Sequence, residues 1–432
     1  MQTKKIGHKL QNTKILNIMR SHFKKLLYAV LVVTFFGCDM EENLPLVDSK
    51  EQAIESNSID PRFIRYLETI GFSDVSESDI FETKDAYVVQ GDINFSKAEL
   101  IGIYDEMGNS QGQNLQLRYS LMVSTPANQI TIFKYTFDSS IPSHIRESVN
   151  EAFANWNSIR NFKFRFEEVS TGVYNTLITS PPTNSGAFAE AQLPIASSGG
   201  SATIGSVMRI NISLFNGISH AQRVFISAHE IGHLVGLLHT DEGLGTLIPG
   251  TFYSDPNSIM NSGSFFGFPV PSWTNFSYLD LLSVRYYYSY DTSEKPFYSY
   301  LKNATGGFNW TTNWNLYQYG ASGFTYWGIN GYIYSSSKSG TVPLYRYRNN
   351  ITQVDYLSLD PNLSASFPSY IQQEISGYVF TSSSPDRTPV YEWYHPNKGF
   401  HFTTLTNDGV ISSGGWTGGG IAFYALKLDE FN

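Results

Sequence analysis

The stretch His229-Glu230-Ile231-Gly232-His233-Leu234-Val235-Gly236-Leu237-Leu238-His239 constrains this chain more than any other feature. His229 and His233 are four residues apart, so on a helix their rings lie one turn above the other and point the same way, as two ligands of one metal ion must. The helix itself is well specified. Ser219 and Gln222 have capping-box spacing, and Val224, Phe225, Ala228, Ile231, Leu234 and Val235 supply an apolar face. His239 could not join the pair if the helix ran straight. Gly236 can take a positive φ and turn the chain back beneath the metal. Three neutral imidazoles leave the fourth tetrahedral position of a Zn2+ open, as in catalytic and not structural sites. Glu230 stands beside them as a carboxylate that is not a ligand. One catalytic zinc per chain is therefore expected, against the alternative of three unrelated core or surface histidines.

Around this helix the pattern is α+β. Alternation at Leu117 to Val123 and Ile130 to Phe137 predicts strands, and Pro142 opens a helix with Ile145, Val149, Phe153 and Trp156 on one face. Phe162, Phe164 and Phe166 have a period of two, and strands are also expected at Thr176 to Thr179 and Ser206 to Ser213. These pieces make a mixed sheet with a backing helix and the zinc helix, over residues 113–290. Residues 38–112 read as an acidic tether leading into a possible pro-segment. It holds a helical pattern (Phe63, Ile64, Leu67, Ile70) and an extended piece, Ala86 to Ile93, and is too small for a stable domain of its own.

The extended motif resembles that of the metzincin zinc peptidases. The form His-Glu-Ile-Gly-His resembles in particular the bacterial HEIGH metallopeptidases, close in pattern to the astacins and matrixins. The resemblance runs from about Leu117 to Tyr288 and implies a zincin-like domain that cleaves peptide bonds in proteins. Under it His229, His233 and His239 bind zinc, and Glu230 is the general base that takes a proton from water and returns it to the leaving amine. Asp255-Pro256-Asn257-Ser258-Ile259-Met260 matches the methionine turn, with Met260 as a floor under the imidazoles; an ordinary core methionine is the alternative. Asp280, in Phe276-Ser277-Tyr278-Leu279-Asp280, would be a helix cap or an acceptor behind the site. The substrate-pairing edge strand is expected at Val207 to Ile212. Astacins carry a tyrosine two residues after the turn methionine; Ser262 stands there, so no tyrosine donor is expected from that position. Val89-Gln90-Gly91-Asp92-Ile93 resembles the F-x-G-D segment of astacin propeptides, with Val for Phe, which would make Asp92 a latency ligand in the open zinc position. The competing reading is an ordinary Gly-Asp turn or bulge in a hairpin.

The chain changes character near Asp291. Of the last 142 residues, 29 are Phe, Tyr or Trp. Pro296-Phe297-Tyr298-Ser299-Tyr300 recurs as Pro343-Leu344-Tyr345-Arg346-Tyr347 and Pro389-Val390-Tyr391-Glu392-Trp393, at spacings of 47 and 46. Trp310, Tyr356 and Phe402, and likewise Tyr332, Tyr378 and Tyr424, keep a spacing of 46. Three blades are too few to close a propeller, so residues 291–432 are expected to be an autonomous all-β domain, a β-trefoil. Its surplus rings suit a glycan or glycoprotein ligand, although most of them could equally be core. An alternative function follows: a glycan-binding surface adhesin whose zinc domain is secondary. Intact Glu230 argues against it, while a zinc hydrolase of another substrate stays open.

Seven of the 29 basic residues lie in the first 37 positions with no acid among them, so the rest of the chain is more acidic than its net charge of −9. Such a body repels phosphate backbones, and no nucleic-acid partner is expected. Arg20, Lys24 and Lys25 precede the apolar run Leu26 to Phe36, which is too short to span a bilayer and has the order of a secretory signal, residues 1–37. Phe35-Phe36-Gly37-Cys38 resembles a bacterial lipobox, and Cys38 is the only cysteine. This implies a lipidated Cys38, an outer-membrane lipoprotein exposed at the cell surface, and membrane contact through the lipid alone.

Overall fold

The computed structural model describes residues 59–427 except 73–74, 110–121, 184–185, 197–201, 242–246, 252–254, 263–268, 321–322 and 407–408. The expected export signal, Cys38, the expected tether before residue 59 and most of the strand expected at Leu117 to Val123 lie outside these residues. No helix among those described is long and apolar enough to cross a membrane.

The first half is built on one sheet. Its strands are β1 (Ile80–Glu82), β2 (Ala86–Val89), β3 (Ile93–Ser96), β4 (Thr131–Phe137), β5 (Phe164–Glu168), β6 (Thr176–Thr179) and β7 (Ala189–Gln192). A two-stranded hairpin, β8 (Ile195–Ala196) and β9 (Ala202–Thr203), then leads to β10 (Val207–Ile210), and the order across the sheet is β1-β2-β3-β7-β10-β6-β4-β5. Strands β5, β4, β6 and β10 are mutually parallel, as connections through helices and long loops require, and β7 is antiparallel to β10.

The backing helix, Ser143–Asn157, buries Ile145, Val149, Ala152, Phe153 and Trp156 against this sheet. Trp156 is fully buried, and its Nε1 donates to the Ala228 carbonyl at 3.0 Å, so the backing helix is tied to the zinc helix, His220–Leu234. A buried indole N–H needs such a partner. Phe164 and Phe166 point into the same core from β5, as the period-two pattern predicts.

Residues 59–104 have a core of their own. The helix Pro61–Thr69 buries Phe63, Tyr66 and Leu67 against Tyr87, Val89, Ile93 and Phe95, with the Phe63 and Tyr87 rings stacked at 4.1 Å. Leu193 and Ala202 of the following domain complete this cluster, and β3 pairs in parallel with β7. A segment too small to fold alone thus gains its stability by extending a neighbour's sheet. That pairing also corrects the expected substrate strand: β10 is hydrogen-bonded on both sides, to β6 and β7, and has no free edge. The outer strand of the catalytic sheet is β7, and β3 lies along it.

The second half is all-β, with strands β11 (Glu294–Lys302), β12 (Phe308–Thr311), β13 (Phe324–Tyr334), β14 (Thr341–Asn349), β15 (Asp355–Ser358), β16 (Tyr370–Phe380), β17 (Arg387–His395), β18 (Gly399–Thr403) and β19 (Thr417–Leu426). The threefold repeat is plain, but its unit differs from the expected trefoil. In each repeat the first strand pairs with the short second strand on one side and the long third strand on the other. Only the third strands cross between repeats, by the pairs Tyr334↔Tyr378, Phe380↔Tyr424 and Tyr332↔Leu426. Three three-stranded blades therefore meet along their inner strands, whereas a trefoil closes a barrel of six strands.

Glycine permits the close approach at two of the three junctions. A Cβ at Gly331 would lie 2.8 Å from the Leu426 carbonyl, and one at Gly377 2.8 Å from that of Tyr334, closer than real Cβ atoms approach backbone. Trp310 and Phe402 are fully buried 5.2 Å apart, with the partly buried Tyr356 5.8 Å from Phe402. These repeat landmarks are core, not a ligand platform.

Candidate active site

The zinc helix begins as its sequence predicts: Ser219 Oγ accepts from Gln222 N, and Gln222 Oε1 accepts from Ser219 N. It ends at Gly236, whose φ is +97°. There Gly236 N–H donates to His233 O at 2.9 Å and Leu237 N–H to Gly232 O at 2.9 Å, closing the last turn while the chain reverses. The reversal brings His239 Nε2 to 3.2 Å from His233 Nε2 and 3.3 Å from His229 Nε2. All three side chains are buried.

Two backbone carbonyls fix the ring tautomers. His229 Nδ1 donates to Ile259 O at 2.6 Å, and His233 Nδ1 donates to Leu237 O at 2.8 Å. A carbonyl only accepts, so in both rings Nε2 carries a lone pair aimed at the common centre. Converging lone pairs at such separations repel unless a cation lies among them, and three imidazole nitrogens with no thiolate suit zinc. The residues present fit that ion.

Asp92 joins them. Its Oδ2 is 3.3 Å from His239 Nε2 and 3.4 Å from His229 Nε2, and its Oδ1 is 3.9 Å from His233 Nε2. The four ligand atoms, one from each residue, lie within 4.8 Å of one another. The β2–β3 hairpin delivers this carboxylate: Val89 pairs with Ile93, Gln90 and Gly91 both have positive φ, and Ala191 N–H donates to Asp92 O at 2.9 Å. The segment is a hairpin turn, and the turn points its aspartate at the histidines. Burial alone would raise the Asp92 carboxyl, but the facing imidazoles, His239 foremost, hold it well below its usual range.

Glu230 is fully buried, and neither carboxylate oxygen has a hydrogen-bond partner. Burial first, then the charges of Asp92 and Glu190, push its carboxyl well above the ordinary glutamate value. Burial, and then the neighbouring His229, push His233 down, which keeps its imidazole neutral as a metal ligand.

Met260 lies beneath the helix, at the place expected of a turn methionine. A Cβ built on Gly232 would overlap its Sδ, so any larger residue in that place of the His-Glu-Ile-Gly-His run requires the methionine side chain to move. Asp280 acts both as cap and as acceptor behind the site. Its carboxylate accepts from Ser277 N at 2.9 Å, from Ser258 Oγ at 2.6 Å and from Ile259 N at 3.0 Å, and the Ile259 carbonyl in turn holds His229. Ser262, where a tyrosine was in question, donates through N and Oγ to Asp241.

Sequence reasoning missed Glu190 and Gln192, which share one face of β7. Glu190 accepts from Thr183 N at 2.6 Å and Asn94 Nδ2 at 3.2 Å. Gln192 Nε2 donates to Glu99, and Ser206 Oγ donates to Gln192 Oε1 at 2.5 Å. The alternation Ala189-Glu190-Ala191-Gln192 was the available signal of a strand with one polar face.

Residues 87–242 match the family of dual-action HEIGH metallo-peptidases. Residues 281–362 and 358–426 match a domain family of unknown function, DUF5648. No curated protein matches the sequence. Among solved structures, one of myroilysin is 15% identical with a TM-score of 0.28, covering 41% of this chain and 87% of that one. A second myroilysin structure gives 14%, 0.27, 38% and 86% in the same order. High choriolytic enzyme 1, a hatching enzyme zinc-protease from the medaka fish Oryzias latipes, gives 16%, 0.24, 35% and 80%. The family match together with the buried cluster of Asp92, His229, His233 and His239 makes this chain a zinc metallopeptidase with a mixed α/β catalytic domain.

Proposed function

We propose that the chain is a zinc-dependent endopeptidase made in latent form, in which Asp92 occupies the metal position that a substrate carbonyl or water would take. The observation that carries this reading is the convergence of the Asp92 carboxylate on the three histidine Nε2 atoms beside an unpartnered, buried Glu230. Zinc held by His229, His233 and His239 would supply Lewis acidity toward water and the scissile carbonyl. Glu230 accepts the proton of the attacking water and delivers it to the leaving amine nitrogen. The face of β7 along which β3 lies is the natural strand for an extended substrate once that hairpin has left. The order of charge, apolar run and Cys38 supports export and lipid anchoring at the bacterial outer surface. A glycan or glycoprotein ligand for the second half rests on its exposed rings, such as Trp327 and Tyr394.

The test is substitution in the full zinc-loaded chain. Asp92→Ala should cut a quenched peptide library without prior processing, while the wild type stays slow until its N-terminal segment is removed. Glu230→Gln should keep zinc and lose turnover by about two to four orders of magnitude. His239→Ala should lose zinc. Equal activity of unprocessed wild type and Asp92→Ala would overturn latency, and full zinc and activity in His239→Ala would overturn the site itself.

A further inference from the structure

The second half does not sit apart from the peptidase. Tyr326 Oη donates to Gly250 O at 3.0 Å and Tyr319 Oη to Ile248 O at 3.0 Å, both on the segment that joins His239 to the methionine turn. Gly250, at φ +90°, fits so closely that a Cβ there would stand 3.1–3.3 Å from Tyr298, Leu282 and Ile329. A second tie runs through charge. Glu294, at the start of β11, accepts from Arg160 at 2.8 Å, from Arg285 at 2.7 Å and from Asn161 Nδ2 at 2.9 Å. The buried Arg285 guanidinium also lies 3.5 Å from the centre of the Tyr332 ring. Arg285 belongs to the closing helix, Tyr278–Tyr288, whose first turn carries Asp280, the acceptor for Ile259 N.

The repeats supply an internal control. The cross-strand pairs Tyr298↔Ile329, Tyr345↔Ile375 and Tyr391↔Ile421 are equivalent, as are Pro296↔Tyr332, Pro343↔Tyr378 and Pro389↔Tyr424. Ile329 is 8% exposed where the catalytic half covers it, but Ile375 and Ile421 are 46% and 51% exposed. At the position of Glu294, opposite Tyr334, the other repeats have Thr341 opposite Phe380 and Arg387 opposite Leu426. An acid at this position, where it meets Arg160 and Arg285, is thus peculiar to the repeat that docks.

We infer that the first repeat is a working part of the peptidase, in which Tyr326 and Glu294 are positioning residues that hold the backbone at Gly250 and the closing helix, and through that helix and its Asp280 the Ile259 carbonyl that fixes His229. The expected autonomous module is replaced by a buttress. This rests on the peptidase reading, so the primary readouts are independent of any cleavage. In the zinc-loaded full chain, Tyr326→Phe should speed zinc transfer to a chelator by roughly three- to tenfold and raise amide exchange at residues 255–260 while far-UV circular dichroism is unchanged. Glu294→Ala should do more, and Glu294→Gln less. Ile375→Ala and Ile421→Ala, on the equivalent patches, should leave both readouts at wild-type values. With Asp92→Ala as background, Tyr326→Phe should lower kcat with little change in KM. Wild-type zinc transfer and exchange in both Tyr326→Phe and Glu294→Ala would overturn the inference, as would equal effects of Ile375→Ala. If no variant cleaves peptide but zinc transfer still responds, the buttress stands and the proposed activity falls.

Discussion

Gly232 shows how a side-chain contact beside the metal site bears on the size of a helix residue. Its neighbours Glu230, Ile231 and His233 all have chemical or packing roles, and a glycine in a helix interior costs about 1 kcal/mol relative to alanine. The residue stays small because Met260 Sδ lies where a side chain would begin. Gly232→Ala should therefore destabilise the protein although it favours the helix locally, by about 1–3 kcal/mol from overpacking, and should weaken zinc retention. Urea unfolding of the holoprotein measures the first effect. Combining it with Met260→Ala should recover part of the loss, so the two substitutions should be less than additive. Simple additivity would mean that the contact carries no strain.

At the scale of elements, the closing helix and the methionine turn act as one unit through Asp280. A single carboxylate caps the helix at Ser277 and holds Ser258 and Ile259. A buried donor left without its acceptor costs about 1–3 kcal/mol, so Asp280→Ala should lower unfolding stability by about that much and loosen His229 through the Ile259 carbonyl. Burial pushes the Asp280 carboxyl up, and its hydrogen bonds offset only part of that rise. A carboxyl whose folded value lies above its unfolded value stabilises most while protonated, and its contribution is lost as pH rises through the folded value. Asp280→Asn should accordingly flatten that part of the stability curve measured against pH. An unchanged curve would show that the group titrates as it does in the unfolded chain.

At the scale of the molecule, four hydrophobic clusters among the described residues are joined by contacts that no single element contains. The hairpin-bearing segment leans on β7, the catalytic half leans on the first repeat, and two of the three junctions between repeats pack a glycine against the neighbouring strand. Gly331→Ala would drive a methyl into the Leu426 carbonyl and Ala425 from a positive φ. It should cost more than about 1 kcal/mol, and because the first repeat docks on the catalytic half, zinc transfer should quicken with it. Calorimetry of the wild type should give one transition for both halves; two well-separated transitions would show that the docking contributes little to stability.

The sequence by itself determined the helix from Ser219 to Gly236, the three histidines, the glutamate beside them, the turn methionine and the threefold repeat, because each is a local spacing set by helix, strand or turn geometry. It also raised Asp92 as a candidate but left it balanced against a plain turn. Only the tertiary structure decided where its carboxylate lies, since the direction of a hairpin tip depends on the strand it pairs with, and β3 on β7 aims this one at His229 and His239. The same limit explains the misplaced substrate strand and the trefoil. Strand order and the pairing of blades depend on which edges meet in space, and the alternation of Val207 to Ile210 reads alike at an edge or in the middle of a sheet. Glu294 was illegible for a related reason: a lone acid at a strand start gains its meaning only when folding places Arg160 and Arg285, far apart in the chain, on either side of it.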